Sequence, residues 1–250
     1  MIELNHVTVA YGKNIVLNDL SVAFEQGKLT SIVGVNGSGK STLLKAILAM
    51  IPLSCGEISI DGSTLSHMKR NDIARKIAYL AQGKNTPDMT VEQIVLHGRF
   101  PHLNYPRRYT EQDHEIAFGA MEQVGISDVA HKPLYTLSGG MRQNAYIAMS
   151  LAQGTDYVLL DEPTTYLDIS HQLELMKTLR TLAEKGKGIV TVMHDLPMAL
   201  TFSDRIVLLN DGRVVSNDEP RQIHKQKLID SVFNVTIEVS ADGRTYSYKY

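Results

Sequence analysis

The sequence has 250 residues, 43% of them hydrophobic and 21% charged, enough to bury a sizeable core in one domain or in a core that carries an inserted subdomain. A net charge of −2 speaks against a basic nucleic-acid tail or a polybasic membrane anchor. A single cysteine, Cys55 in PLSCG, rules out an intrachain disulfide framework and fits a reducing compartment, and no histidine or basic residue flanks it to make it reactive.

The N-terminus, MIELNHVTVA, alternates like a strand and holds no signal-peptide core. No apolar run approaches the roughly 18 residues of a spanning helix, so the expectation is a chain that does not cross a membrane but can dock on a membrane protein. IELNHVTVAYG and LNDLSVAFEQG read as paired strands of period two. LTSIVG is a short apolar strand ending in glycines, and a helix follows with Leu43, Leu44, Ile47, Leu48 and Ile51 on one face. GEISIDG and IAYLAQ (77–82) are further strands. From about 86 to 155 strand signals vanish and helical patterns dominate, split by the loop FPHLNYPRRYT. YVLLDEP (157–163) resumes the strands, followed by a helix over 169–184, the strand GIVTVMHD, a short helix near 197–202 and the strand RIVLLNDG. A helix near 220–231 precedes VFNVTIEVSADGRTYSYKY, where Asp242-Gly243 between alternating runs predicts a terminal hairpin. This order predicts an α/β fold: a core of residues 1–85 and 156–250 with a helical subdomain inserted at 86–155.

GVNGSGKST (34–42) fits G-x-x-x-x-G-K-[ST] between a strand and a helix, the setting a phosphate loop requires. Its glycines let the backbone N–H groups curl around an anion without Cβ clashes. Lys40 is expected at the β- and γ-phosphates, the Ser41 hydroxyl on Mg²⁺, and Thr42 on the α-phosphate side. In YVLLDEP a strand carries Asp161 to its C-terminal edge, where open α/β sheets bind ligands. Asp161 is expected to hold Mg²⁺ through water, and Glu162, pointing the other way as strand neighbours do, to polarise the attacking water. His194 follows a strand in MHD and can contact the γ-phosphate and fix that water or Glu162. Gln82 ends IAYLAQ, with an amide able to touch Mg²⁺ or the water, and Tyr11 beside Gly12 can stack on adenine. No spacing resembles a zinc site. A second anion-seeking helix start stands in LSGGMRQ (137–143), where Ser138 reads as an N-cap and no lysine follows the glycines.

Taken together, Tyr11, GVNGSGKST, Gln82, LSGGM, YVLLDEP, Asp168 in TTYLD and His194 make the chain resemble, over nearly its whole length, the ATPase subunit of an ABC transporter. GRFPH (98–102), PTTYLDISHQ (163–172) and the LSGG–RQ–A–IAM pattern are most similar to ATPases of iron-chelate importers, with haem and cobalamin importers as close relatives. The resemblance implies a P-loop NTPase core with an antiparallel β subdomain and a helical subdomain. It implies Mg²⁺-dependent ATP hydrolysis by two chains paired head to tail. Asn36, Gly37, Ser38, Gly39, Lys40, Ser41 and Thr42 would cradle ATP, while Ser138, Gly139 and Gly140 meet the γ-phosphate held by the partner's loop, which explains the missing lysine. Asp168 would reach across the same interface. Membrane permease subunits, with residues 83–109 as their groove, and indirectly a solute-binding protein would be the other partners, placing the chain peripherally on the cytoplasmic side of the membrane with no nucleic-acid role. A translation or DNA-repair ATPase would carry two cassettes or a long coiled coil, a non-catalytic module would lack Glu162 or His194, and a kinase would have no use for LSGG.

Two residues depart from the family pattern: Met141, where Gln or Glu is usual, and Asn144, where arginine is common. With Ser138 as N-cap, position 141 is N3, where Gln or Glu bonds back to the N-cap N–H and Met cannot; the looser signature helix costs about 0.5–1 kcal/mol. Met141→Gln should therefore raise the melting temperature, and an unchanged or lower value in a thermal scan would contradict the assignment.

Overall fold

Two compact units make up the computed structural model, which describes residues 1–81, 86–165 and 167–249: Met1–Met68 with Leu179–Tyr250, and Lys69–Thr178. Gln82 lies outside the described residues.

In the first unit β1 (Ile2–Tyr11) and β2 (Asn14–Phe24) pair antiparallel, as their alternation predicts. β3 (Leu29–Gly34) is buried at all six positions, the signature of a parallel strand covered on both faces. It leads through the phosphate loop into α1 (Lys40–Ile47). That helix is shorter than its apolar spacing predicts: Leu48 is its C-cap and Ala49 turns left-handed at φ 51°, so Ile51 falls outside it. β4 (Cys55–Ile60) and β5 (Ser63–Thr64) complete an antiparallel sheet of order β2-β1-β4-β5.

The second unit opens with α2 (Arg70–Lys76), which the sequence reading missed, and β6 (Ile77–Leu80). Between 86 and 155 every named element is helical: α3 (Val91–His97), α4 (Glu111–Gln123), α5 (Gly139–Ala152) and short 3₁₀ turns. Thr90 with Gln93 and Thr110 with Asp113 form full capping boxes at α3 and α4. An ion pair between a half-buried Arg99 and a buried Asp113 ties these helices together. Arg99, just past α3, donates to the Asp113 carboxylate at 2.9 Å and to the Ala152 carbonyl at the end of α5 at 2.9 Å. β7 (Tyr157–Asp161) then pairs parallel with β6, and α6 (Ile169–Glu184) follows over the predicted span.

Back in the first unit, β8 (Gly188–Val192) runs parallel to β3, α7 (Leu196–Phe202) follows, and β9 (Arg205–Asn210) lies parallel along the other side of β3. β10 (Arg213–Asp218), also missed, pairs antiparallel with β9 across Asp211-Gly212, both left-handed, as a tight hairpin turn requires. The predicted helix near 220–231 divides into α8 (Pro220–Lys225) and α9 (Leu228–Phe233) at left-handed Lys227. β11 (Ile237–Val239) and β12 (Tyr246–Tyr248) form the predicted terminal hairpin.

Burial pushes the Asp113 carboxyl up, but the Thr110 N–H, Arg99 and the Thr110 hydroxyl outweigh it and hold the group down to about 2. A folded pKa below the unfolded one stabilises above the unfolded value, so this contribution is complete above about pH 4 and is lost as pH falls toward 2. Asp113→Asn should cost about 2–4 kcal/mol in urea unfolding at pH 7, with the deficit shrinking toward pH 3. A loss below about 0.5 kcal/mol would show that the ion pair does not hold these helices.

Candidate active site

The phosphate loop is shaped by close approach. A Cβ on Gly34 would stand 2.3 Å from the Leu209 carbonyl oxygen and 2.5 Å from Ser38 Oγ. Gly39 is left-handed at φ 102°, and a Cβ there would meet Leu17 Cδ2 at 2.7 Å. Gly39 is also the N-cap of α1 and supplies no side-chain acceptor to its first turn, where the helix dipole favours an anion. Lys40 is buried, and its ammonium donates to the loop's own carbonyls at Gly34 (2.8 Å) and Val35 (3.0 Å). Among the described residues Ser38 Oγ is buried with no hydrogen-bond partner, a state that costs about 1–3 kcal/mol and that a phosphate oxygen would relieve. Asn36 and Gly37 are exposed, and Ser41 and Thr42 half-buried.

β3 and β8 are in register from Leu29–Ile189 to Ile32–Val192, and the Met193 N–H donates to the Ile32 carbonyl. His194, exposed, therefore leaves β8 at the same sheet edge at which the phosphate loop leaves β3. Tyr11 is 51% exposed beside the Gly12 turn.

In the second unit Asp161 is the last residue of β7 and is 5% exposed. The Tyr79 hydroxyl, from β6, donates to its Oδ2 at 3.4 Å. Burial first, then the Asp161 charge and hydrogen bond, push Tyr79 up to about 12, so it stays a donor. Tyr79 was not read from the sequence, because its strand shows only apolar character. Glu162 is redirected by a different cause from strand alternation. It has left the strand and is left-handed at φ 52°, which costs an L-residue about 1 kcal/mol. Its carboxylate accepts a long hydrogen bond from the Thr165 hydroxyl at 3.4 Å. Asp168 accepts the His171 N–H at 2.9 Å and so caps α6.

Ser138 caps α5 as expected, accepting the Met141 N–H at 3.3 Å. Asn144 donates to the Val124 carbonyl at 3.3 Å, satisfying the end of α4. Arg142 donates to the Thr86 hydroxyl at 3.1 Å.

Among the described α-helices, α1 and α5 alone have no acidic residue at the N-cap or in the first turn. The other helix starts carry Asp72, Glu92, Glu111 with Asp113, Asp168, Asp195, Glu219 and Asp230, which offset the positive end of the dipole. The two starts left uncompensated are those of GSGKST and LSGG.

The family model described as "ABC transporter" matches residues 17–165. The chain is 37% identical to the petrobactin import ATP-binding protein FpuD of Bacillus anthracis, over 96% of the chain and 89% of that protein. It is 40% identical to the ferric enterobactin transport ATP-binding protein FepC of Escherichia coli (strain K12), over 94% and 88%. Among solved structures, the dimeric bacterial ABC transporter cassette MJ0796 superposes with a TM-score of 0.75 at 29% identity, covering 88% of this chain and 99% of that one. With these likenesses, the two uncompensated helix starts and the α/β core, the chain belongs to the ABC transporter family, as one of its ATP-binding subunits.

Proposed function

We propose that this chain hydrolyses ATP to drive import of an iron–siderophore complex, working as a head-to-tail pair beneath a membrane permease. The observation that carries the paired mechanism is the second anion-ready helix start: α5 offers N–H groups with no acidic residue and no lysine. One chain's phosphate loop already provides a lysine, so LSGG is suited to an ATP that another copy holds. The cargo class is supported by the relatives, whose names specify petrobactin and ferric enterobactin.

In this reading Tyr11 stacks on adenine. Asn36, Gly37, Ser38 and Gly39 wrap the phosphates, and Ser38 Oγ gains the partner it lacks. Lys40 turns from its loop carbonyls to the β- and γ-phosphates, and Thr42 takes the α-phosphate side. Ser138, Gly139 and Gly140 bind the γ-phosphate of the second copy's ATP. The Ser41 hydroxyl, the Asp161 carboxylate and the Gln82 amide are the oxygen donors that suit Mg²⁺. When bound, that ion offsets phosphate charge. Glu162 accepts the proton of the attacking water, and His194 orients that water. Asp168 lies at the pairing face, and its bonds to α6 fix where that turn stands. Loss of the γ-phosphate removes what bridges the pair, so hydrolysis opens it.

Residues 86–155 form the helical subdomain inserted into the core of 1–85 and 156–250, and Gln82 with the segment 83–109 passes the change to the permease. No described helix is long and apolar enough to cross a membrane. This accords with a peripheral place on the cytoplasmic face, with a solute-binding protein delivering cargo to the permease from the other side.

The test is hydrolysis by Glu162→Gln, alone and in vesicles carrying the permease. ATP binding should persist while turnover falls by about 10²–10⁴-fold, and uptake of a ferric siderophore should stop with it. Turnover within tenfold of wild type would remove Glu162 as the base, and normal hydrolysis without ferric-siderophore uptake by the wild type would overturn the cargo.

A further inference from the structure

His171 has no part in the chemistry above, yet it joins two segments that do. Asp168 Oδ1 accepts the His171 N–H at 2.9 Å and the Ser170 hydroxyl at 2.7 Å, and His171 Nδ1 lies 2.7 Å from the same oxygen. The backbone bond first, then the two side-chain bonds, hold the Asp168 carboxyl down to about 2, so it is an acceptor near neutrality. The shared proton therefore sits on Nδ1, which fixes the tautomer and the ring plane. The opposite edge of the ring lies on the signature turn. A Cβ on Gly140 would stand 2.2 Å from His171 Cδ2, 2.8 Å from Cγ and 2.9 Å from Nε2. Gly140 is not left-handed, so no special backbone conformation demands glycine there; the imidazole does.

The segment that holds the ring also carries Glu162. The Thr165 N–H donates to the Glu162 carbonyl at 3.2 Å, and the Gln172 amide donates to the Thr164 and Leu167 carbonyls at 3.2 and 3.0 Å. Hydrogen bonds and short stretches of chain thus tie the Glu162 turn through Gln172 to Asp168 and His171, and the ring lies against the Gly140 position.

We infer that His171 is a positioning residue for the nucleotide sandwich: locked by Asp168, its ring seats the Gly140 turn so that the α5 N–H groups meet the second copy's γ-phosphate. The inference rests on the reading of LSGG as half of a composite site. The ring also gives each copy a mechanical link between its own hydrolytic turn and the signature it presents to its partner.

The test uses full-length Glu162→Gln as parent and follows dimer formation by sedimentation velocity as ATP is raised, with ATP binding to the monomer measured separately. Adding His171→Phe, which keeps a ring but loses the Asp168 bond, or His171→Asn, which keeps a donor but loses the ring, should raise the ATP needed for half-dimerisation by about 5–20-fold. Monomer binding should stay within about twofold. Gly140→Ala should impair pairing more when His171 is present than when it is alanine, because its methyl group meets the imidazole. If the parent itself does not pair at millimolar ATP, the composite-site reading falls and this inference falls with it. If the parent pairs and both His171 variants match it, the role of His171 is overturned and the composite site stands. Equal losses in monomer binding and pairing, or additive effects of the Gly140 and His171 changes, would make His171 a folding residue only and would also overturn the inference.

Discussion

No side chain can stand at Gly34 or Gly39, and the phosphate-binding half of the molecule follows from that constraint. β9 brings the Leu209 carbonyl to within 2.3 Å of where a Gly34 Cβ would be, and β2 brings Leu17 to within 2.7 Å of a Gly39 Cβ. The β9–β10 turn closes the same side, with Gly212 against the Val16 carbonyl and its N–H donating to Ser38 O at 3.2 Å. The loop is therefore clamped by strands as well as tied to itself by Lys40. The clamp buries Lys40 and Ser38. A buried ammonium and a buried hydroxyl both need oxygen acceptors or donors in place of water, and phosphate supplies oxygens to each. The steric demand of two glycines thus prepares an electrostatic demand for a polyanion.

The same logic reappears at α5 with a different partner. There Gly140 makes room for a side chain, His171, rather than for a strand. The helix start again lacks any acidic residue to offset its dipole. Capping boxes with Gln93 and Asp113 satisfy α3 and α4, whereas α5 has Ser138 alone and Met141 at the reciprocal position. A helix start left without an acidic residue inside a well-capped bundle is suited to an external anion. A pair of chains in which each supplies what the other lacks meets that requirement.

Much of the architecture was legible because burial and period coincide. β3, β7 and β8 are wholly buried and read as mostly apolar runs, and α6 was predicted over its observed span. Errors arose where conformation depends on a single backbone angle. Ala49 and Lys227 turn left-handed without being glycine, and they end α1 early and split the helix near 220–231. β10 pairs along β9 with exposed or partly buried residues, so its pattern carries little hydrophobic signal. The phosphate-loop reading rests on glycine, lysine and serine at that spacing between a strand and a helix. Glu162 was read from its place after a strand, and the backbone turn at φ 52° redirects it. Tyr79 and His171 were not read from the sequence: only the structure sets them against Asp161 in one case and against Asp168 and the Gly140 position in the other. For His171 a faint signal existed, since it stands three residues after the capping Asp168.

The central claim is that one chain holds two half-sites and that only a pair is competent. Steady-state ATP hydrolysis measured against protein concentration tests it most directly. Turnover per chain should rise with concentration, approaching second-order dependence on protein at the dilute end and levelling once pairs form. Turnover per chain that stays constant down to concentrations at which sedimentation shows only monomer would contradict it.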